Sequence, residues 1–199
     1  YVAINAIVFS APKLLGHDTG LDVAGVGKII SGGGIAIALG LLMVSAVAGR
    51  TVARTLATYS GLMMVAVAGL VALWASGSPA ASITGYLVFI AASQTAGMLP
   101  LAVISRLIPV ADRAGGLAMA NTISQTGAVI GPLLWGIAAD ATGTYHLGVA
   151  LLLPMALGSA TLALLVIVVF FSLVLKSIRR GRTPYDYHMV FSRVLCFSY

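Results

Sequence analysis

The chain has 199 residues, of which 60% are hydrophobic and only 8% are charged, whereas about a quarter of the residues of a typical soluble domain are charged. A chain of this size has too little interior volume to hide so much apolar surface from water, so its composition excludes an ordinary soluble fold and favours a membrane protein. The formal net charge of +6 does not indicate nucleic-acid binding, because most basic residues fall in connections between apolar runs.

The first apolar stretch, residues 1–11, is about half as long as the twenty or so residues that a helix needs to span a bilayer. We interpret it as the end of a truncated helix. Residues 13–22 are more polar, and we expect them to form a connection.

Five longer apolar runs follow, each long enough to cross a bilayer as a helix. Proline, glycine and charged residues end the runs. None alternates as a barrel strand does, so helices are the structure that satisfies their backbone in lipid. The predicted spans are residues 23–48, 55–75, 83–104, 115–139 and 146–175.

The basic residues in the connections predict the orientation of these spans. One side carries Arg50, Arg54, Arg106, Arg113 and a cluster from Lys176 to Arg182, whereas the connections on the opposite side carry only Lys13. The arginine-rich side is therefore predicted to be cytoplasmic. Residues 183–199 are too short and polar to span, so the chain divides into a membrane unit, 1–176, and a cytoplasmic tail, 177–199.

The predicted spans differ in polarity. Residues 55–75 and 151–171 are almost entirely apolar, which is typical of helices that face lipid. Amides and charges within other spans usually face a bundle interior or a watery cavity. On this ground the predicted solute-binding residues are Asn5, Lys28, Gln94, Asn121 and Gln125.

Alternatives to this site remain open at the level of sequence. Each amide is equally compatible with hydrogen bonding between helices, and the long side chain of Lys28 is able to extend to the membrane surface. Trp74 and Trp135 lie near predicted helix ends and are expected to anchor the membrane interface.

Motifs for enzymatic or cofactor chemistry are not supported. Gly27-Lys28 suggests a phosphate loop, but that motif needs glycine at position 22 and a hydroxyl residue after the lysine, where this chain has Asp22 and Ile29. There is no nucleophile elbow or paired-histidine zinc motif, and the single cysteine, Cys196, permits no disulfide within the chain. We therefore expect no enzyme activity, cofactor or metal.

The fourth and fifth spans carry a family resemblance. The run Ala-Gly-Gly-Leu-Ala-Met-Ala-Asn at 114–121, the spacing Gly127-x3-Gly131-Pro132-x3-Gly136, and Asp140-Ala-Thr-Gly-Thr-Tyr145 resemble helix eleven of the major facilitator superfamily and the turn beyond it. Pro12-Lys-Leu-Leu with Gly20-Leu-Asp-Val-Ala-Gly25 resembles the connection from helix seven into helix eight. The segment from Gly40 to Arg54 resembles a degenerate copy of the family's loop motif, with Gly49 in place of its usual Asp.

This resemblance implies an all-α membrane protein, a six-helix half-bundle of a twelve-helix fold with its first helix truncated. The chain would supply helices seven to twelve, and the missing N-terminal half would be its partner. In such a fold helices nine and twelve are peripheral, the solute binds near the midplane between the halves, and one half rocks against the other.

The function implied is secondary active transport of a small polar solute across the plasma (inner) membrane by an integral, multi-pass protein. Lys28 and the helix-eleven pattern favour an organic anion carried by a symporter. A proton-coupled drug exporter is the alternative within transport, although it would be expected to have aromatic and apolar cavity walls. A membrane subunit or receptor that uses the fold without transporting is the alternative from another class.

Overall fold

The computed structural model describes residues 2–48, 51–75 and 77–179, and these ranges contain helices and no strand. The prediction of an all-α protein is therefore confirmed for the described residues. The predicted loop residues Gly49 and Arg50, and the tail beyond Arg179 with Arg180, Arg182 and Cys196, lie outside them. The helices are α1 (Val2–Thr19), α2 (Val23–Val47), α3 (Val52–Trp74), α4 (Pro79–Gly97), α5 (Leu99–Leu107), α6 (Arg113–Thr142) and α7 (His146–Arg179).

Four helical spans are long and apolar enough to cross a membrane: Val23–Val47, Val52–Trp74, Pro79–Leu107 and His146–Val169. Such a set is typical of an integral, multi-pass membrane protein. The sequence predicted five complete spans, and α6 is not among the four. With 30 residues it is long enough, but its amides and hydroxyls lower its apolar character.

The prediction of a polar connection at residues 13–22 is wrong for most of its length, because residues 13–19 are part of helix α1. The helix continues through Pro12 to Thr19, although an internal proline removes one helix hydrogen bond. The helix ends at Gly20, whose φ of +67° is favourable for glycine. Lys13 therefore lies on α1 and not in a loop.

The predicted span 83–104 begins earlier than expected and is interrupted. Helix α4 starts at Pro79, after Ser78 accepts a hydrogen bond from the Ala81 backbone N–H. The helix is interrupted at Met98, and helix α5 follows, with Pro100 in its first turn. Proline is tolerated there because its missing N–H would have no partner within the helix.

Helices α3 and α4 cross closely at two glycines. A Cβ added at Gly69 would lie 2.6 Å from the backbone nitrogen of Phe89, and one added at Gly85 would lie 2.7 Å from that of Leu73. The two backbones are therefore nearly in contact, as at small-residue crossings of membrane helices. Phe89, Leu73 and Leu70 are fully buried beside this crossing.

Helix α3 also packs against α7, and a buried hydrogen bond joins them. The Ser60 Oγ donates to the backbone oxygen of Ala160 over 3.0 Å. At the opposite end of α3 from Trp74, the Arg106 Nη1 of α5 donates to the Thr55 Oγ1 over 3.0 Å. Helices α3, α4 and α7 thus form the most tightly packed part of the bundle.

Helices α2 and α6 are much less covered. Only Val26 and Gly33 are buried on the 25-residue α2. Helix α6 packs mainly on α1, where a Cβ at Gly131 would meet the backbone of Val2 and Ala6. Large parts of α2 and α6 therefore have no protein neighbour within the described residues.

Candidate functional site

The structure places three of the five predicted solute-binding residues on open helix surfaces. Asn121 and Gln125 are exposed on α6, and Lys28 is exposed on α2. Asn5 on α1 and Gln94 on α4 are half-buried. Their roles as solute ligands stay predictions.

The five residues do not form one compact cluster. Helices α1 and α6 run in the same direction, and Asn5 lies at the level of Gly131, which packs between Val2 and Ala6. At 1.5 Å per residue, Asn121 lies about 15 Å and Gln125 about 9 Å along the axis of α6 from that level. The amides are therefore distributed over different depths of the bundle.

The segment 121–126 of α6 is uncovered around nearly the whole helix. Five of its six residues are exposed, and Ser124 is half-buried. Asn121 lies about 12 Å and Gln125 about 18 Å along the axis from the first residue of α6, so both amides are well inside a helix of 30 residues. At that depth an exposed amide needs water or a polar partner.

A cavity of about 390 Å³ lies between α1, α6 and the connection from α6 to α7. Its lining combines one cation, one carboxylate, hydroxyl groups and aromatic rings. The pattern of polar residues in the sequence did not predict this cavity. The lining includes Lys13, Ser10, Trp135, Asp140, Thr144 and Tyr145.

Two charges of opposite sign face this cavity without pairing. The ion pairs among the described residues join Asp18 to histidines, and neither Lys13 nor Asp140 takes part in one. Asp140 lies in the last turn of α6, which has no basic residue. A carboxylate at this position is unfavourable, because the carbonyl end of a helix is itself negative.

Trp135 does not have the exposure that we expected of an anchor at the membrane interface. It is only 4% exposed, whereas an interface anchor would be accessible to headgroups. A Cβ added at Gly148 of α7 would lie 2.6 Å from the indole Cδ2, so the missing side chain at Gly148 makes room for the ring. The indole Nε1 is buried and has no hydrogen-bond partner. Trp74, in contrast, is half exposed.

A polar cluster next to the cavity centres on Asp18, whose side chain is 6% exposed. One carboxylate oxygen, Oδ1, lies 3.0 Å from the His17 Nδ1 and 3.3 Å from the His146 Nε2. The other, Oδ2, accepts a hydrogen bond from the Ser82 Oγ over 3.0 Å. The His17 ring packs edge-on against Tyr145, which lines the cavity. The cluster therefore joins the ends of α1, α4 and α7.

Little in the local sequence indicates this cluster. Asp18 and His146 are distant in the chain, and a histidine beside an aspartate is common in surface connections. Only the predicted helix directions, which bring the end of one span beside the start of another, could have suggested their proximity.

Metal binding has no structural support in the part of the chain that is described, where no group of three or more His, Cys, Asp or Glu side chains is arranged to hold an ion. No protein-family model, curated protein or solved structure matches the chain.

Proposed function

We propose that this chain is one half of a secondary transporter that moves a small polar solute by alternating access. The observation that carries the proposal is the exposure of Asn121 and Gln125 well inside α6. The partner would be a second helical bundle that faces α2 and α6 across a polar cavity.

Exposing an amide to lipid is energetically costly. Moving an amide from water to an apolar medium without a hydrogen bond costs about 4–8 kcal/mol. If Asn121 and Gln125, which lie about one turn apart on α6, both faced acyl chains, each would incur this cost. A water-filled cavity removes it, and binding a polar solute there uses the same hydrogen-bonding groups.

The contrast with α3 and α7 supports the same arrangement. These helices pack against each other through Ser60 and Ala160, and their exposed residues include Met64, Val65 and Leu162. Apolar side chains are suited to lipid. The resemblance to the major facilitator superfamily would make α3 and α7 the peripheral helices nine and twelve, and α6 the cavity-lining helix eleven.

Lys28 favours an anionic solute, because it is an exposed cation near the start of the apolar helix α2. We therefore propose that the solute is an organic anion and that the protein carries it by symport. The drug exporter and the non-transporting subunit are the competing functions, and a transport assay distinguishes them.

The accessibility of single cysteines tests the cavity. Replacing Cys196 with Ser removes the only native thiol, and Asn121→Cys or Gln125→Cys then introduces one at a time. We expect both to react with a membrane-impermeant methanethiosulfonate reagent. The matched control is Leu162→Cys on α7, where the native residue is 63% exposed, and it should stay unreactive because it faces lipid. If positions 121 and 125 are as unreactive as 162, no watery cavity lines α6.

Uptake of labelled solutes into proteoliposomes that contain both bundles tests transport itself. Saturable uptake of an organic anion that increases with a pH gradient supports symport. Extrusion of apolar cations would favour the drug exporter. Reactive cysteines without saturable transport of any solute would favour a non-transporting subunit.

A further inference from the structure

We infer that the cavity between α1 and α6 binds a small zwitterionic group, in which an ammonium and an anionic group lie a few bonds apart. The anionic group would contact Lys13, and the ammonium group would lie at Asp140. The site is distinct from the proposed transport cavity, because Asp140 is fifteen residues, or about 22 Å, along α6 from Gln125.

The positions of the charged residues in the lining determine where the two charged groups of the ligand lie. Asp140 and the carbonyl end of α6 together create a negative region with no basic residue in the same turn. A cation at this position interacts favourably with both the carboxylate and the helix dipole. The side chain of Lys13 is exposed on the α1 side of the cavity and offers three donors to an anion.

The separation of the two charges explains why they do not neutralise each other. Lys13 and Asp140 both line the cavity, but no ion pair joins them among the described residues. A ligand of one charge would leave the other residue without a counter-charge. A zwitterion supplies both counter-charges at once.

The remaining walls suit such a group. The volume of about 390 Å³ lies near the lower end of the range of about 300–1,000 Å³ for ligand sites. Trp135 and Tyr145 supply aromatic surface, which attracts cations.

This chemistry has two sources. One is a free zwitterion such as an amino acid, and the other is the headgroup of phosphatidylethanolamine in the surrounding membrane. The cavity lining includes residues of the connection from α6 to α7 and the exposed ring of Phe9. Access from both water and lipid is therefore consistent with its position.

Trp135 provides a direct optical readout. The chain has two tryptophans, so Trp74→Phe leaves Trp135 as the sole indole. The protein is prepared in dodecyl maltoside, which is not zwitterionic, and titrated with glycine or glycerophosphoethanolamine. We expect a saturable change in Trp135 emission, and equilibrium dialysis with labelled glycine or glycerophosphoethanolamine measures the same binding independently. Acetate and methylammonium, each carrying only one of the two charges, should bind at least tenfold more weakly.

The charge variants identify the residues. Lys13→Gln and Asp140→Asn should each weaken binding at least tenfold, and both native residues are exposed, so folding should be retained. Arg54→Gln and Asp112→Asn remove exposed charges elsewhere and should leave binding unchanged. Equal weakening by all four variants would contradict the assignment, because it would indicate a nonspecific effect of charge.

Nanodiscs distinguish the two sources. Discs of phosphatidylglycerol alone are compared with discs that also contain phosphatidylethanolamine. Binding of glycine in both kinds of disc identifies a site for free zwitterions. A change in Trp135 emission that requires phosphatidylethanolamine and is lost in Asp140→Asn identifies a headgroup site. If neither emission nor dialysis detects glycine, glycerophosphoethanolamine or the lipid, the inference is wrong.

Discussion

The carboxylate of Asp18 at the end of α1 lies 3.3 Å from the imidazole of His146 at the start of α7, measured from Oδ1 to Nε2. Ser82 of α4 donates to the other oxygen of the same carboxylate. Three helices that are distant in the chain are thus joined at one end of the bundle. The buried position of Asp18 makes this contact important for stability, because an acceptor that is shielded from water has few alternative partners.

Replacing Asp18 should destabilise the bundle. Asp18→Ala removes the acceptor for Ser82 and leaves the His146 imidazole without this carboxylate, so we expect a loss of about 1–3 kcal/mol in the free energy of unfolding. The measurement is denaturant titration of the protein in detergent micelles. The matched control is Asp112→Ala, because Asp112 is exposed and makes no side-chain cap hydrogen bond.

The pair Asp18 and His146 should also be energetically coupled. In a double-mutant cycle with Asp18→Ala and His146→Ala, the combined loss of stability should be smaller than the sum of the two single losses. Strict additivity would show that the 3.3 Å contact does not contribute.

Closing the space at the α3–α4 crossing should separate the two helices. In Gly69→Ala the new methyl group would overlap the backbone of Phe89, which cannot move as a side chain can, and overpacking of this kind typically costs about 1–3 kcal/mol. Gly61→Ala on the same helix is the control, since a Cβ there meets nothing within 4 Å and alanine favours a helix over glycine. Similar unfolding free energies for the two variants would contradict the close approach.

The orientation of the bundle is open to chemical labelling. From the basic residues we expect Arg113 on the cytoplasmic side and Lys13, Ser78 and Thr144 on the outer side. Lys13 and Thr144 line one cavity, so they must share a side. In a background with Cys196→Ser, an impermeant thiol reagent added outside whole cells should label Ser78→Cys and Thr144→Cys but not Arg113→Cys. Labelling of Ser78→Cys from the cytoplasmic side alone would reverse the assignment.

The predicted solute ligands should affect transport more than folding. Asn121→Ala and Gln125→Ala should raise the half-saturation constant in protein that is still folded, because both side chains are exposed and contribute little to packing. Asn5→Ala and Gln94→Ala should also lower stability, since these residues are half-buried. For Lys28, anion transport should survive Lys28→Arg and be lost in Lys28→Gln. An unchanged half-saturation constant at all five positions would contradict their assignment as solute ligands.

Composition and hydropathy were enough to indicate a membrane protein and to locate most of its helices. Long runs of apolar residues have a single structural solution in lipid, so α2, α3 and α7 agree with the predicted spans to within a few residues at most ends. The predicted helix boundaries are wrong where local sequence signals compete. Pro12 suggested an end to α1 that the helix does not have, and the predicted span 83–104 is interrupted at Met98, with Pro100 in the first turn of α5.

Which polar groups meet depends on how the helices pack. Asp18, Ser82 and His146 come from three helices, and nothing in their local sequence specifies the packing that brings them together. The same holds for the cavity that Lys13 and Asp140 line. Hydropathy reports the environment of a segment averaged over its length, whereas a binding site depends on the rotation and depth of each helix relative to its neighbours. Those are set by close contacts such as Gly69 against Gly85, which no single segment encodes.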